Sequence, residues 1–295
     1  MDSKTVKRSQ RRICLGLLSG ITLLSISSTA SALSVAWTGS ADYSTIIGTS
    51  GEVVGPFDSY DFSNGGLVLI KPEMVSGSGY QVGDTYQGFY QSYVTQHTLD
   101  GAPAASPKLN DSYELTFIAQ FTQQVTSVDG FGNATFTVTD GNAGLFLDSN
   151  AATQYNFLAD SGFNDGISIL SGTISGGGGS FLPGIGIGVT GIDLTIGAFN
   201  YNTAVYNPAS IGGANGVFSL SVNPNGVSSG VSSVLGNTVD GGDLLLEADG
   251  NLNLVAVPLP PALWLLSSVV LGVIGFGRGK TANLSLTNRQ TFITA

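Results

Sequence analysis

A strict alternation of apolar and polar residues in the middle of the chain is the strongest constraint on its fold. The apolar positions are Tyr113, Leu115, Phe117, Ala119 and Phe121. Polar residues such as Glu114 and Gln120 lie between them, and only Ile118 interrupts the pattern. A period of two residues places the two sets on opposite faces of a half-buried strand. Alternation at 135–139 and 218–222 predicts two further strands, and 187–196 another.

Short strands separated by Gly, Asn and Asp turns indicate an all-β fold, and the body shows no convincing helical period. We expect one β-sandwich or jelly-roll-like ectodomain over residues 33–256. Asp249-Gly250, between two apolar runs, predicts a hairpin with a type I′ turn. The glycine-rich run 175–180 predicts a flexible loop and is the best candidate for an internal boundary.

The N-terminal segment has the three parts of a secretory signal peptide. Five lysines and arginines lie within residues 4–12, and a mostly apolar run covers 13–26. Ala30-Ser31-Ala32 then supplies small residues for cleavage. We therefore predict a signal peptide over 1–32, with an uncleaved anchor as the alternative. The single cysteine, Cys14, lies within it, so the mature chain is expected to have neither disulfides nor cysteine-based sites.

A second apolar segment, residues 262–277, lies near the C-terminus and predicts a short transmembrane helix. Its length is about 24 Å at about 1.5 Å per residue, shorter than a typical membrane span. Prolines precede it, and Trp264 lies near one edge of the bilayer. Arg278 and Lys280 are expected to stay cytoplasmic, and a polar tail follows over 281–295. A buried core helix is the alternative.

The C-terminal segment 257–280 resembles the PEP-CTERM sorting signal in its VPLPA-like variant. The residues that carry this resemblance are Val257, Pro258, Leu259, Pro260, Ala262, Trp264, Arg278 and Lys280. The resemblance implies an exported protein of a Gram-negative-type bacterium, first anchored in the inner membrane. An exosortase-like membrane protease would then process it, and the body would reach the cell surface or the exopolysaccharide matrix.

Parts of the body resemble the flocculation-associated group of PEP-CTERM proteins. The similar segments are 112–117, 143–148 and the Gly/Ser-rich stretch 169–179. The resemblance implies a structural or adhesive role in the extracellular matrix, associated with floc or biofilm formation. It brings no catalytic residues.

The body is strongly acidic. Of the 20 acidic residues only Asp2 lies outside 33–261, whereas Lys71 and Lys108 are its only basic residues. Phosphate groups would be repelled, so nucleic acid is excluded as a partner. Binding of cations, or of anionic polymers through divalent bridges, remains compatible with this charge, as does a simple role in solubility.

The inventory of catalytic side chains is small. His97 is the only histidine, no nucleophile motif surrounds it, and we expect it on the surface or in a turn. A pair of carboxylates could hydrolyse glycosides, but the sequence singles out no pair. We therefore expect no enzymatic activity, with a secreted polysaccharide-acting enzyme or a binding module as the alternative.

Calcium is the one cofactor that the sequence suggests. Asp140, Asn142, Asp148 and Asn150 place oxygen donors two residues apart, as hard cations require. Turn formation is the alternative role for such residues. The aromatic cluster 80–93 is expected to pack on a sheet rather than to stack on sugar rings.

Overall fold

The computed structural model describes residues 35–149, 155–181, 190–221 and 228–257, and β-strands dominate these ranges. The helical elements within them are α1 (Ser44–Ile47) and a 3-10 turn at Gly48–Ser50. The strands are β1 (Gly39–Asp42), β2 (Val53–Phe57), β3 (Ser59–Phe62), β4 (Gly66–Met74), β5 (Thr85–Leu99), β6 (Ala102–Ala104), β7 (Glu114–Val128), β8 (Ala134–Asp148), β9 (Ile167–Phe181), β10 (Thr190–Tyr201), β11 (Tyr206–Asn207), β12 (Ile211–Ser221), β13 (Ser233–Val234), β14 (Asn237–Thr238) and β15 (Leu244–Ala256). The all-β prediction is confirmed.

Among the described residues, the main sheet closes on itself as an eight-stranded antiparallel barrel. The pairing runs β4, β5, β7, β8, β9, β10, β12 and β15, and β15 pairs with β4 again. Strand β3 precedes β4 and lies between the same two neighbours, β5 and β15. The described strands thus form a closed barrel rather than the predicted β-sandwich or jelly-roll-like arrangement. Alternating side chains are common to sandwiches and barrels, so the pattern alone does not reveal closure.

Aromatic side chains fill the middle of the barrel. The rings of Phe62 and Phe117 stack with centroids 4.9 Å apart, and those of Tyr90 and Phe218 lie 4.7 Å apart. The apolar positions of the predicted strand at 113–121 are all buried in this core, which confirms the direction of that alternation. Inward-facing side chains of an eight-stranded barrel are expected to fill its interior in this way.

Strand β15 is continuous, so the hairpin predicted at Asp249-Gly250 is wrong. Gly250 pairs with Phe218 on β12, and the Phe218 ring occupies the space that a Cβ atom at Gly250 would need. Glycine is required here by a neighbouring aromatic ring rather than by a turn.

The glycine run 175–180 also lies within a strand, and the predicted loop and boundary are wrong. Gly178 in β9 pairs with Thr137 of β8 and with Asp193 of β10. The pairing with β10 shifts register between Thr195 and Ile196, and Gly177 has a φ of 138°. A Cβ atom at Gly177 would collide with the backbone oxygen of Asp193. The glycines therefore permit a close approach of two strands at an irregularity.

A three-stranded sheet of β11, β1 and β2 packs at the barrel end where β5 finishes. It contributes the buried side chains of Trp37, Tyr43 and Phe57 to the core. The Trp37 indole N–H donates a hydrogen bond to the Pro208 carbonyl, at 3.0 Å. These aromatic residues close this end of the barrel.

Segments 155–165 and 228–243 cover part of the outer surface. Leu67, Leu69 and Phe89 face outward from β4 and β5 and pack with Val231 and Val234. The Asp160 carboxylate links the two segments, because it accepts hydrogen bonds from the amides of residues 235 and 236 at 2.9 and 2.7 Å. A second, smaller core therefore lies outside the barrel.

The continuity of β15 can be tested with two neighbouring substitutions. We expect Gly250→Val to destabilise the protein by about 2–3 kcal/mol, because the added side chain displaces the Phe218 ring. Asp249→Thr, at an exposed position of the same strand, should change stability by less than about 0.5 kcal/mol. Urea denaturation measures both. A large loss for Asp249→Thr as well would indicate a turn rather than a continuous strand.

Candidate functional site

The predicted processing residues lie mainly outside the described ranges. These are Ala30 and Ala32 of the cleavage site, and Pro258, Leu259, Pro260, Ala262, Trp264, Arg278 and Lys280 of the sorting motif. Val257 is described: it directly follows β15 and is 53% exposed. The described chain thus ends at an accessible position beside the barrel. Within the described ranges, no helix has the length and apolarity to cross a membrane, and the predicted helix 262–277 falls outside them.

The residues proposed for calcium binding do not come together. Asp140 and Asn142 flank Gly141 in β8, whereas Asp148 ends the same strand. An extended strand rises about 3.3 Å per residue, so Asp140 and Asp148 are about 26 Å apart. Asn150 lies outside the described residues. Across the part of the chain that the structure describes, no group of three potential metal-binding side chains is found.

Asp140 and Asn142 instead line a polar groove on the outer face of β5, β7 and β8. Gln87, Thr122 and Asp140 form one row across the three strands, and the adjacent row contains Phe89, Gln120 and Asn142. We call these six residues the outer groove. It has a volume of about 180 Å³.

A bulge shapes the outer groove. The pairing of β7 with β8 shifts register beyond Thr122 and Asp140, where Gln123 pairs with Val138 and Thr139 is the extra residue, and Gly141 on the other side of Asp140 has a φ of 156°. Bulges redirect side chains and commonly occur beside functional sites. Gln120, Asp140 and Asn142 are exposed, and the Gln87 amide donates a hydrogen bond to Glu73 at 3.0 Å.

The outer groove offers both hydrogen-bond donors and acceptors. Amide side chains provide both kinds of group, a threonine hydroxyl can act as either, and an ionised carboxylate accepts. Sequence analysis had selected only Asp140 and Asn142. Gln87 and Gln120 were missed because the alternation shows that they face outward but not which strands lie side by side.

Both lysines of the body are engaged by neighbouring oxygens. The Lys71 ammonium lies 3.0 Å from the Asp240 carboxylate and 2.6 Å from that of Asp243. The Lys108 ammonium donates to the backbone carbonyls of Thr49 and Gly51, at 2.8 and 2.9 Å. The outer face of the barrel is therefore dominated by acidic and uncharged polar side chains.

His97 is buried in the core, so its predicted surface position is wrong. Its side chain packs among the rings of Tyr43, Phe57 and Tyr60. Burial lowers the pKa of His97 to about 3, so the imidazole is neutral near pH 7. It lies on β5, next to the three-stranded sheet of β11, β1 and β2. The tyrosines that contact it are distant in sequence.

A chain of hydrogen bonds runs from His97 through three tyrosines. The His97 Nε2 atom lies 2.7 Å from the Tyr43 hydroxyl, which is 3.3 Å from that of Tyr60. The Tyr60 hydroxyl is 2.8 Å from that of Tyr206. All four side chains are buried, so this network joins β1, β3, β5 and β11 and is inaccessible to substrates.

Glu114 is a buried carboxylic acid on the outer face of β7. It is 1% exposed, and neither of its oxygens has a hydrogen-bond partner among the described residues. Burial, followed by the charge of Asp148 opposite it on β8, raises the pKa of Glu114 to about 7. The nearby Tyr155 amide favours the ionised form but lies outside hydrogen-bonding geometry.

The residues covering Glu114 come from the segment 155–165. Tyr155 stacks on Tyr93 with ring centroids 4.0 Å apart and also contacts Phe163. The Phe163 carbonyl accepts a hydrogen bond from the Thr116 hydroxyl at 2.9 Å.

Tyr86 and Tyr90 face the barrel core, so the expected sheet packing of the aromatic cluster is confirmed.

Comparison with known proteins gives no relative: no family model, curated protein or solved structure matches this chain.

Glu114 makes stability depend on pH. The folded state keeps its proton up to about pH 7, whereas the unfolded chain loses it near 4.5. The stabilisation is therefore complete below 4.5 and is lost as the pH rises through 7. We expect the free energy of unfolding of the wild type, relative to Glu114→Gln, to fall by about 2 kcal/mol between about pH 5 and 8.

Comparison with the Gln variant is necessary because the buried, neutral His97 has the opposite effect. Its contribution to the free energy of unfolding decreases as the pH falls from 6.5 towards 3. Asp193→Asn removes an exposed carboxylate and serves as the control. Parallel pH profiles for the wild type and Glu114→Gln would show that Glu114 does not titrate in this way.

Proposed function

We propose that this chain is an exported structural or adhesive protein of the cell surface or extracellular matrix. An exosortase-like protease would sort it through the segment 257–280, and its barrel would contact exopolysaccharide through the outer groove. The observation that carries the contact is the pair of rows across β5, β7 and β8, in which five of the six side chains are polar.

The chemistry of the outer groove suits sugar hydroxyls. Each hydroxyl both donates and accepts, and the groove offers amide, hydroxyl and carboxylate groups side by side. Phe89 lies in the second row but is 8% exposed and packs in the smaller core, so the polar side chains supply the contacts. A shallow, exposed groove of this kind fits a segment of a polymer better than an enclosed small molecule.

The charge of the body narrows the class of polysaccharide. Both lysines bind oxygens of the protein itself, and Asp140 lies within the groove. An anionic polymer would meet repulsion there unless a divalent cation were to bridge the two. We therefore propose that the polymer segment in the groove is uncharged.

Two double variants test the outer groove. Asp140→Ala with Asn142→Ala should weaken binding to a neutral polysaccharide at least tenfold, because four hydrogen-bonding oxygen and nitrogen atoms are lost. Asp193→Ala with Asn215→Ala makes the same chemical change on β10 and β12 and should have no effect. Affinity electrophoresis in gels containing dextran, laminarin or polysaccharide from the producing organism measures the retardation.

Equal retardation of both double variants would overturn the groove as the binding site. Alginate, an acidic polymer, should retard the wild type only when calcium is present. Retardation by alginate without calcium would contradict the proposed preference for uncharged segments.

The export part of the proposal predicts a shortened chain. Protein recovered from the extracellular matrix of its own host should begin after Ala32 and end between Pro258 and Ala262, which intact-mass spectrometry reads directly. Val257 is exposed beside the barrel, so cleavage after it would leave the described fold intact. A mass retaining Ala295, recovered from membranes, would contradict processing and indicate a permanently anchored module.

A glycoside hydrolase is the second candidate, and one observation favours it. Glu114 and Asp148 face each other on neighbouring strands, and the pKa of Glu114 is raised to about 7. In such enzymes a carboxylic acid with a raised pKa acts as the general acid beside a second carboxyl group. The 1% exposure of Glu114 argues against access by a sugar. Hydrolysis of polysaccharide by the wild type, abolished in Glu114→Gln, would establish the enzyme instead.

A further inference from the structure

An apolar hollow lies at the mouth of the barrel, at the end opposite the three-stranded sheet of β11, β1 and β2. The hollow has a volume of about 320 Å³, which is near the lower limit for small-molecule sites. Its wall is formed mainly by Ile70, Pro72, Val75, Tyr80, Tyr86 and Leu244. Four of these residues also line a smaller cavity of about 20 Å³ farther inside the barrel.

A glutamine lines the inner cavity. Gln123 pairs with Tyr86 on β5 and with Val138 on β8, both of which belong to the core, so its side chain faces the interior. It is 4% exposed, and its Oε1 atom has no hydrogen-bond partner among the described residues. Leaving a buried acceptor unpaired costs about 1–3 kcal/mol, so a donor at this position would be stabilising.

Tyr80 lines both the hollow and the inner cavity. Its ring lies 5.4 Å from those of Tyr86 and Phe181, measured between centroids. The loop that carries it is held at two points by Asp84, which accepts hydrogen bonds from the amides of Ser76 and Gln81. Between those points the loop contains Gly77 and Gly79, and a Cβ atom at either position would have no neighbouring atom within 4 Å. The loop next to Tyr80 is therefore anchored at both ends and uncrowded at both glycines.

We infer that the mouth of the barrel binds a small apolar molecule that carries one hydrogen-bond donor. The apolar body occupies the hollow, and the donor passes Tyr80 to reach Gln123 Oε1. The inner cavity has room for about one water molecule, which is also the size of a hydroxyl group. The two cavities thus match the two parts of an aryl or alkyl alcohol. This inference is independent of the outer groove.

Two fluorescent probes of similar shape test the inference on the full-length protein. 2-Naphthol has a hydroxyl donor, whereas 2-methoxynaphthalene has none. We expect the wild type to bind 2-naphthol at least tenfold more tightly. Gln123→Leu should remove this preference without weakening the binding of 2-methoxynaphthalene, since only the acceptor oxygen is lost. Leu244→Trp should weaken the binding of both probes, because the larger ring fills the hollow.

Two measurements keep the test decisive. Thermal unfolding should show that both variants remain folded, and the double variant at Asp140 and Asn142 should bind both probes as the wild type does. Failure of that double variant to bind polysaccharide, with normal probe binding, separates the two sites. The inference is overturned if the binding of neither probe saturates. It is also overturned if Gln123→Leu keeps the preference for 2-naphthol.

Discussion

The barrel depends on aromatic rings that pack over inward-facing glycines. The Phe218 ring occupies the space beside Gly216 and Gly250, and the Phe121 ring lies against Gly88 on the neighbouring strand. An eight-stranded barrel has a narrow interior, so each large side chain needs a small one opposite it. The rings bury apolar surface, and the glycines let them lie flat across the strands. Packing and closure are therefore one constraint, because the Phe218 ring on β12 also contacts Tyr90 on β5, which is not a neighbouring strand, and opening the sheet would lose that contact.

The same constraint explains which parts of the fold the sequence predicted. The alternation at 113–121 predicted a strand and its buried face correctly, because that pattern is local. Gly250 and the run 175–180 were assigned to a turn and a loop, because glycine usually has that meaning locally. Their actual role depends on Phe218 and Asp193, which the pairing of distant strands brings beside them. Closure was not predictable for the same reason.

The buried polar groups were equally hidden. His97 lies in a polar stretch, Thr95-Gln96-His97-Thr98, and its partner Tyr43 is distant in sequence, as is Tyr206 at the far end of the network. Glu114 was correctly placed on the outer face of its strand. It is buried only because the segment 155–165 crosses that face. Of the outer groove, sequence analysis found the two residues next to a glycine and missed the two glutamines, since only strand pairing aligns them into rows.

The engagement of both lysines has a consequence for adhesion. A protein that attaches to a polymer through exposed cations loses affinity as salt increases, because charges are screened within about 10 Å at 0.1 M salt. Lys71 and Lys108 are bound to oxygens of the protein itself, so they cannot supply such an attraction. Hydrogen bonds from amide and hydroxyl groups to sugar hydroxyls depend much less on ionic strength. If the proposed function holds, the barrel would therefore retain an uncharged polymer across changes in salt, while its acidic surface would keep separate copies apart.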